Sequence, residues 1–508
     1  MDDSKVERGC EKSGWVISAL AMLRPCRILS FVIVIGFAAL AASQTGIDVK
    51  DSFGRSVTGR GITLLQWEGH MADPAIKLSI SLPDNVRTPA TLDVTSDCSR
   101  IMFDRNTQDR RGLGTRLQFT GSRRTATMWV SIFPSRTYRD EDHKLYFSLP
   151  GVPPLVLPVH VTNQNRVHKP LFSIQLDFGK DKTGFLKDPH VRQVCELAAN
   201  DWAFYIDDMH LDRVPAGDEK TEIWNPDGFV STFQVANEKS FTGYLMYMSG
   251  IAGPELRSGG APSEIGKHQT SQGRTQPLLR SGNVNVEIRG NYHRLGWFLS
   301  TGDDDWWCSG NLRDEPADLY SIMLHEMGHA LAFHPKYAAA QAAHERGRWI
   351  DPDVRAYLGY EPRFDQSDHF AGSVDPASGF GVFGAEYEAR MKVRRWLITK
   401  AHLLLLKSVG YRIRPVSCFD VLKASCPEAG ELHAGTTVSI KPAASGGIPS
   451  YDWVVADGAL PPGLSLDSFT GEISGKPTQA GSFTITLRVT DQSPQPMSAE
   501  IRETLTVS

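Results

Sequence analysis

The sequence predicts a multidomain chain, with a β-sandwich-like N-terminal domain over residues 46–166, an α+β domain over 169–413 and a small β-sandwich over 435–508. Three observations carry this reading. The 508 residues exceed what one hydrophobic core serves. Apolar residues alternate with polar ones up to about Lys169 and then shift to helical spacing. Beyond Gly435 short alternating runs return, broken by Gly/Pro turns at close intervals. The charge balance, 54 basic against 58 acidic residues for a formal net of -4, gives no reason to invoke nucleic acid or an anionic membrane surface.

At the N-terminus Arg24 and Arg27 precede the apolar run from Ile28 to Ala42. The run ends in the small residues Ala41, Ala42 and Ser43, the order of a signal peptide. Residues 1–43 are therefore expected to be removed and the mature chain exported, to the extracellular space or the cell envelope, with no stable membrane span. The run falls short of the roughly 20 apolar residues that cross a bilayer; a signal anchor is the alternative. Met1 to Ala21 is long for the polar leader segment, and Met22 is expected to be the true initiator.

Export permits disulfides. Cys10 and Cys26 leave with the leader, so Cys98, Cys195, Cys308, Cys418 and Cys426 remain, an odd number. Cys418 and Cys426, close together in a linker over 414–434, are the expected pair, with Cys195 and Cys308 as a second candidate. None has the C-x-x-C spacing of a thiolate zinc site.

In the N-terminal domain Ile76–Leu82, Ala126–Phe133 and Leu155–Val161 read as strands between Pro, Gly, Asp and Asn clusters. Arg110, Arg111, Arg123 and Arg124 could form a binding patch, but solvated loop charge accounts for them. After Lys169, Leu171–Phe178 alternates as a strand. Asp188 to Met209 carries Val191, Val194, Leu197, Ala198 and Trp202 at helical spacing, and Phe241–Met248 and Val284–Ile288 read as further strands. Asp207-Asp208 and Asp303-Asp304-Asp305 offer oxygens to calcium, although neither run has the alternating donors of an EF-hand and both read as solvated acidic loops.

The chemistry concentrates in His325-Glu326-Met327-Gly328-His329. Two histidines four apart on a helix project from one face a turn apart, so they can share a zinc ion while Glu326 beside them serves as general base. Histidine is scarce, 15 in 508 residues, which makes a chance match improbable. The helix is expected to begin near Pro316-Ala317-Asp318 and to end at Pro335, which disfavours helical geometry at His334.

These residues resemble the zincin metallopeptidases, on the metzincin side, whose familiar pattern is H-E-x-x-H-x-x-G-x-x-H. Here the glycine position is Ala332 and the third-histidine position is Pro335. His334 comes one residue early, and a five-residue helical offset from His329 would turn it about 140° off the ligand face. Downstream, Arg363-Phe364-Asp365-Gln366-Ser367-Asp368-His369 is followed by a Gly-rich segment, Met391 and the apolar stretch Leu397–Tyr411. This order is similar to the leishmanolysin type, in which an insertion precedes a distal third histidine. The resemblance implies His369 as third ligand and Met391 as the Met-turn residue beneath the metal. His334, Glu345, Asp365 and Asp368 remain alternatives, since zinc accepts carboxylate oxygen as well as imidazole; His402 reads as a helix-surface residue. A pro-segment role for the N-terminal domain lacks the cysteine latency device expected of such a family, because Cys98 lies in Asp-Cys-Ser.

The expected function is a secreted zinc endopeptidase acting on protein or peptide substrates, with one catalytic Zn2+ activating water and Glu326 taking the proton. The alternative is an extracellular adhesion or binding protein with a structural or inactive zinc site. The C-terminal region resembles the Ig-like or cadherin-like modules appended to extracellular proteins, which implies a spacer or a contact to a surface glycan or protein.

Overall fold

The computed structural model describes residues 46–103, 114–135, 137–164, 169–225, 231–251, 259–262, 279–288, 297–301, 317–364, 369, 395–493 and 495–508. The leader with Met22, Cys10, Cys26, Arg110, Arg111, Asp303-Asp304-Asp305, Cys308, Asp365, Asp368 and Met391 lie outside these residues.

The N-terminal strands are β1 (Asp48–Lys50), β2 (Ile62–Gln66), β3 (Ile76–Ser81), β4 (Ala90–Ser96), β5 (Ile101–Phe103), β6 (Gly114–Phe119), β7 (Thr125–Ile132), β8 (Glu141–Ser148) and β9 (Leu155–Asn163). They form two sheets, ordered β1-β3-β7-β5 and β2-β9-β8-β4-β6, antiparallel except where β2 runs parallel to β9. The period of two decides which side chains enter the core: Ile76, Leu78 and Ile80 are buried while Lys77 is exposed, and Leu157, Val159 and Val161 are buried between exposed Pro158 and His160.

The central region holds β10 (Ile174–Asp177), α1 (Pro189–Tyr205), β11 (Lys220–Trp224), β12 (Thr232–Ala236), β13 (Tyr244–Ile251), β14 (Gly259–Pro262), β15 (Ser281–Glu287), β16 (Trp297–Phe298), β17 (Ala317–Asp318), α2 (Leu319–Leu331), α3 (Ala338–Arg346), α4 (Pro352–Leu358) and α5 (Lys400–Ser408). Helix α1 starts where the sequence directs it. Asp188 accepts from the His190 backbone N–H at 2.8 Å, and Pro189 occupies the first turn, where a missing N–H costs nothing. The sheet is ordered β10-β13-β15-β14, with β10, β13 and β15 parallel and β14 antiparallel at the edge. Successive residues of β13 serve two cores. Tyr244, Met246 and Met248 face α1 and α2 in the main core, whereas Leu245 and Tyr247 join Val214, Ile223 and Phe241 on the other side.

The C-terminal strands are β18 (Lys423–Ser425), β19 (Val438–Ile440), β20 (Ala443–Ser445), β21 (Asp452–Gly458), β22 (Leu464–Leu466), β23 (Ile473–Gly475), β24 (Gly481–Thr490) and β25 (Ser498–Val507). Ile485, Leu487 and Val489 of β24 enter a separate small core with Trp453, Leu505 and Val507. This module starts earlier than the expected boundary at 435, because β18 pairs with β20 and both Leu422 and Leu432 belong to its core. The described residues are thus mostly β-sheet, with five α-helices among them. None of these helices is long and apolar enough to cross a membrane.

Arg55 ties the two β modules together. Its guanidinium donates to Asp452 at 3.0 Å, to the Ser468 carbonyl at 2.6 Å and to the Tyr451 carbonyl at 2.9 Å, and it lies 3.9 Å from the centre of the Phe469 ring. Its Nε holds Asp51 at 2.9 Å. Arg55→Ala leaves two carboxylates and two carbonyls without this donor, and is expected to lower stability by about 2 kcal/mol in denaturant unfolding; a change within error would show that the modules are not joined here.

The expected disulfide does not form. Neither cysteine is in a disulfide: Cys418 is buried in the main core, whereas Cys426 packs against the C-terminal core. Eight positions of chain carry the two thiols into different cores, so proximity in sequence is a poor guide. Alkylation in denaturant without reductant should label both residues, and a Cys418–Cys426-linked peptide in the mass map would contradict the fold.

Candidate metal centre

Helix α2 is buried along its whole length, from Leu319 to Leu331. Its N-terminus is capped by Asp318, whose Oδ2 accepts from the Ser321 backbone N–H at 3.2 Å and from the Ser321 hydroxyl. The other oxygen of Asp318 accepts from Arg395 Nε at 3.1 Å, and both side chains of this ion pair are almost wholly buried. Arg395 also donates to the Ser300 carbonyl at 2.7 Å and stands over the Tyr320 and Phe298 rings. The next residue, Trp396, donates its backbone N–H to Ser321 Oγ at 2.8 Å and sets its ring 5.4 Å from that of His325.

The helix stops at Leu331, earlier than Pro335 alone would require. Ala332 has φ -150° and ψ -40°, and the N–H groups of Ala332 and Phe333 both point at the Gly328 carbonyl, at 2.8 and 3.1 Å. The turn that a glycine commonly makes is made here by Ala332 at negative φ, without left-handed strain. It also brings the Phe333 carbonyl to His329 Nδ1 at 2.6 Å. A carbonyl only accepts, so Nδ1 carries the proton and Nε2 of the neutral ring presents its lone pair. Burial, followed by the neighbouring His369, pushes His329 down to about 3 and keeps it neutral.

His329 Nε2 lies 3.1 Å from His325 Nε2, and His369 Nε2 lies 3.0 Å from the same atom. The His369 ring stacks on His325 with an interplanar angle of 11° and meets His329 edge-on at 87°. One ligand atom from each of these three residues falls within 4.8 Å of the other two, making the one such histidine group among the described residues. Zinc–imidazole bonds of about 2.0–2.1 Å at tetrahedral angles separate neighbouring nitrogens by about 3.3 Å. Nitrogens at 3.0–3.1 Å from a common partner therefore suit a small divalent cation, and converging lone pairs are costly without one. The donor set fits zinc.

Glu326 is buried on the same helix, and burial pushes its carboxyl up to about 8. His334 points its Nδ1 at the Lys336 N–H, 3.2 Å away, and Glu345 is exposed on α3; neither joins the three histidines. Contrary to its reading as a surface residue, His402 is wholly buried. Its Nδ1 accepts from the Thr399 N–H at 3.0 Å in a capping box, and burial pushes it down to about 3. In the acidic pair, Asp207 binds Arg412 at 2.9 Å and Asp208 accepts from the His210 N–H at 2.8 Å. Sequence reading missed Asp318, Arg395 and Trp396 as supports of the site. Asp318 carries a legible N-cap signal just before an apolar run, but nothing local in the sequence marks the other two.

A family model described as "Putative Ig domain" matches residues 421–508, and this region is an Ig-like module. No curated protein matches the chain. Among solved structures, a "putative alpha-galactosidase" from Bacteroides fragilis is 25% identical over 18% of this chain and 18% of its own, with a TM-score of 0.15. A second from that organism, a "putative alpha-galactosidase/melibiase", is 20% identical over 18% of this chain and 19% of its own, also at 0.15. Mouse cadherin-23 repeats EC22-24 are 10% identical over 91% of this chain and 99% of their own, at 0.17. The chain spans less than a fifth of the length of the first two, and similarities at these TM-scores say nothing about its fold or activity.

Breaking the buried ion pair at the N-terminus of α2 tests the support of this helix. Arg395→Met strands the Asp318 carboxylate in the core and is expected to cost about 3–5 kcal/mol, whereas adding Asp318→Asn should recover a clear part of that loss. Urea unfolding of both variants measures this, and equal losses would show that the charge pair is not the stabilising feature.

Proposed function

We propose that the chain is a secreted zinc-dependent endopeptidase of metzincin-like type, with an α+β catalytic domain and an appended Ig-like module. His325, His329 and His369 would hold the metal and Glu326 would be the general base. The observation that supports this best is the meeting of three imidazole Nε2 atoms, two from one helix and the third from 44 positions beyond His325, with an intact Glu326 next to His325 in the chain. When bound, zinc lowers the pKa of its water towards about 7 and polarises a peptide carbonyl. Glu326 takes the proton from the attacking water and returns it to the leaving amine. His329 is held for its task by the Phe333 carbonyl, and Trp396 packs beside His325. A structural zinc site, as in the alternative of an adhesion protein, fills all four positions with protein ligands and has no need of a base.

The test compares wild type with Glu326→Ala on an unfolded protein substrate, with bound zinc measured in both. Glu326→Ala is expected to keep one zinc per chain and to lose about 10²–10⁴-fold in kcat/KM, and a chelator should abolish the wild-type activity. His369→Ala should lose zinc; full occupancy and activity in that variant would return the third position to His334, Glu345, Asp365 or Asp368. Zinc-loaded wild type that cleaves nothing would favour the adhesion reading.

A further inference from the structure

The loop between β2 and β3, Trp67 to Asp73, leaves the N-terminal sandwich and enters the helical layer. Its backbone is gripped at both ends. Trp67 N–H donates to Asp73 Oδ1 at 2.8 Å, and Tyr205 of α1 donates its hydroxyl to the Glu68 carbonyl at 2.9 Å. The Glu68 carboxylate accepts from the Ser417 N–H at 2.7 Å. Gly69 passes so close to α1, at φ +79°, that a Cβ there would lie 2.2 Å from the Tyr205 hydroxyl oxygen. The loop is linked to the metal helix through intermediaries by two routes. His70 Nδ1 lies 2.7 Å from Asp201 Oδ1 of α1, and the other oxygen of Asp201 accepts from the Tyr320 hydroxyl of α2 at 2.7 Å. Met71, fully buried, pairs with Ile398, whose carbonyl accepts from the Ala72 N–H at 2.7 Å. Ile398 is two residues beyond Trp396, the ring beside His325.

We propose that the Trp67–Asp73 loop is a positioning element of the metal centre, through His70–Asp201–Tyr320 on one side and Met71–Ile398–Trp396 on the other. The N-terminal sandwich is then a permanent part of the working unit and not a removable pro-segment. This rests on the zinc reading above. Asp201 is a buried carboxylate that meets a group from each of two modules, His70 on one oxygen and the Tyr320 hydroxyl on the other, so losing His70 removes the contact that ties the loop to the first turn of α2. Histidine ligands depend on such outer contacts for their orientation.

The test uses the full chain. Zinc affinity is measured by competition with a chromogenic chelator, and site geometry by the d–d bands of the cobalt derivative. His70→Ala is expected to weaken zinc about tenfold and to move the cobalt bands; His70→Asn, which can still donate to Asp201, should restore part of both, and Lys77→Ala on the exposed side of β3 should change neither. If His70→Ala does not fold, Tyr320→Phe carries the same expectation with a single oxygen removed. A specific protease site is also engineered between Asn163 and Lys169, and the cut fragments are expected to co-elute. Native affinity and native cobalt bands in the variants would overturn the positioning role. A fragment that separates and leaves a remainder with full zinc affinity would overturn the permanent attachment. Wild type that takes up no zinc defeats the zinc reading itself, and co-elution then decides the attachment alone.

Discussion

The structure depends on the cost of burying α2. A helix hidden along all thirteen residues takes two histidines, a glutamate and its own polar ends out of water, and each such group needs a partner inside the protein. The partners come from every side. Trp202 of α1 donates to the Leu324 carbonyl at 2.8 Å, and Tyr244 of β13 donates to the Ala330 carbonyl at 2.7 Å, where Tyr337 also reaches at 3.3 Å. Asp318 and Arg395 serve the N-terminus. These contacts leave the imidazoles facing one another, the arrangement a metal would complete.

Such burial needs more surface than the helix-bearing region has. The main hydrophobic core runs from Ile47, just before the first strand, through α1 and α2, to Cys418, and takes in Ile448 of the C-terminal module. The N-terminal sandwich and the central sheet therefore share one interior, even though their sequence patterns differ. The Ig-like module keeps its own core around Trp453 and meets the rest through the hydrogen bonds of Arg55 together with Ile448 and Phe469, which pack on the main core. The difference is one of degree: a module with its own apolar core exposes little apolar surface when it parts from its neighbour, whereas one that shares a whole interior cannot be lifted away without exposing much of it.

What was legible in the sequence is what short-range periodicity encodes. The alternation of Ile76, Leu78 and Ile80, the helical spacing of Val191, Val194, Ala198 and Trp202, and the four-residue offset of His325 and His329 all act within a turn or a strand. The end of α2 was misread because Pro335 was the visible breaker, while the operative turn is an ordinary alanine whose N–H shares the Gly328 carbonyl with its neighbour. The Trp67–Asp73 loop carries the punctuation of a surface connection, and only tertiary contact shows that it is interior. The cysteines and His402 failed for the same reason: proximity and exposure in space are not properties of nearby residues in the chain.

The third histidine shows how far this dependence goes. His369 stands 44 positions from His325, and closing a flexible loop of that length costs roughly 3 kcal/mol in chain entropy before any contact repays it. His334 would avoid that cost, being only five residues past His329. It does not, because the early end of α2 commits the Phe333 carbonyl to His329 and turns His334 towards the Lys336 N–H. The interaction that orients His329 thus turns the nearest further histidine away from the group. The third imidazole of the group comes instead from a distant segment, and the chain from Arg395 onward is pinned by Arg395 to the N-cap of α2 and by Ile398 to the N-terminal loop. A site assembled this way forms only when the surrounding core is already in place, which is why a compact five-residue motif requires so large a scaffold.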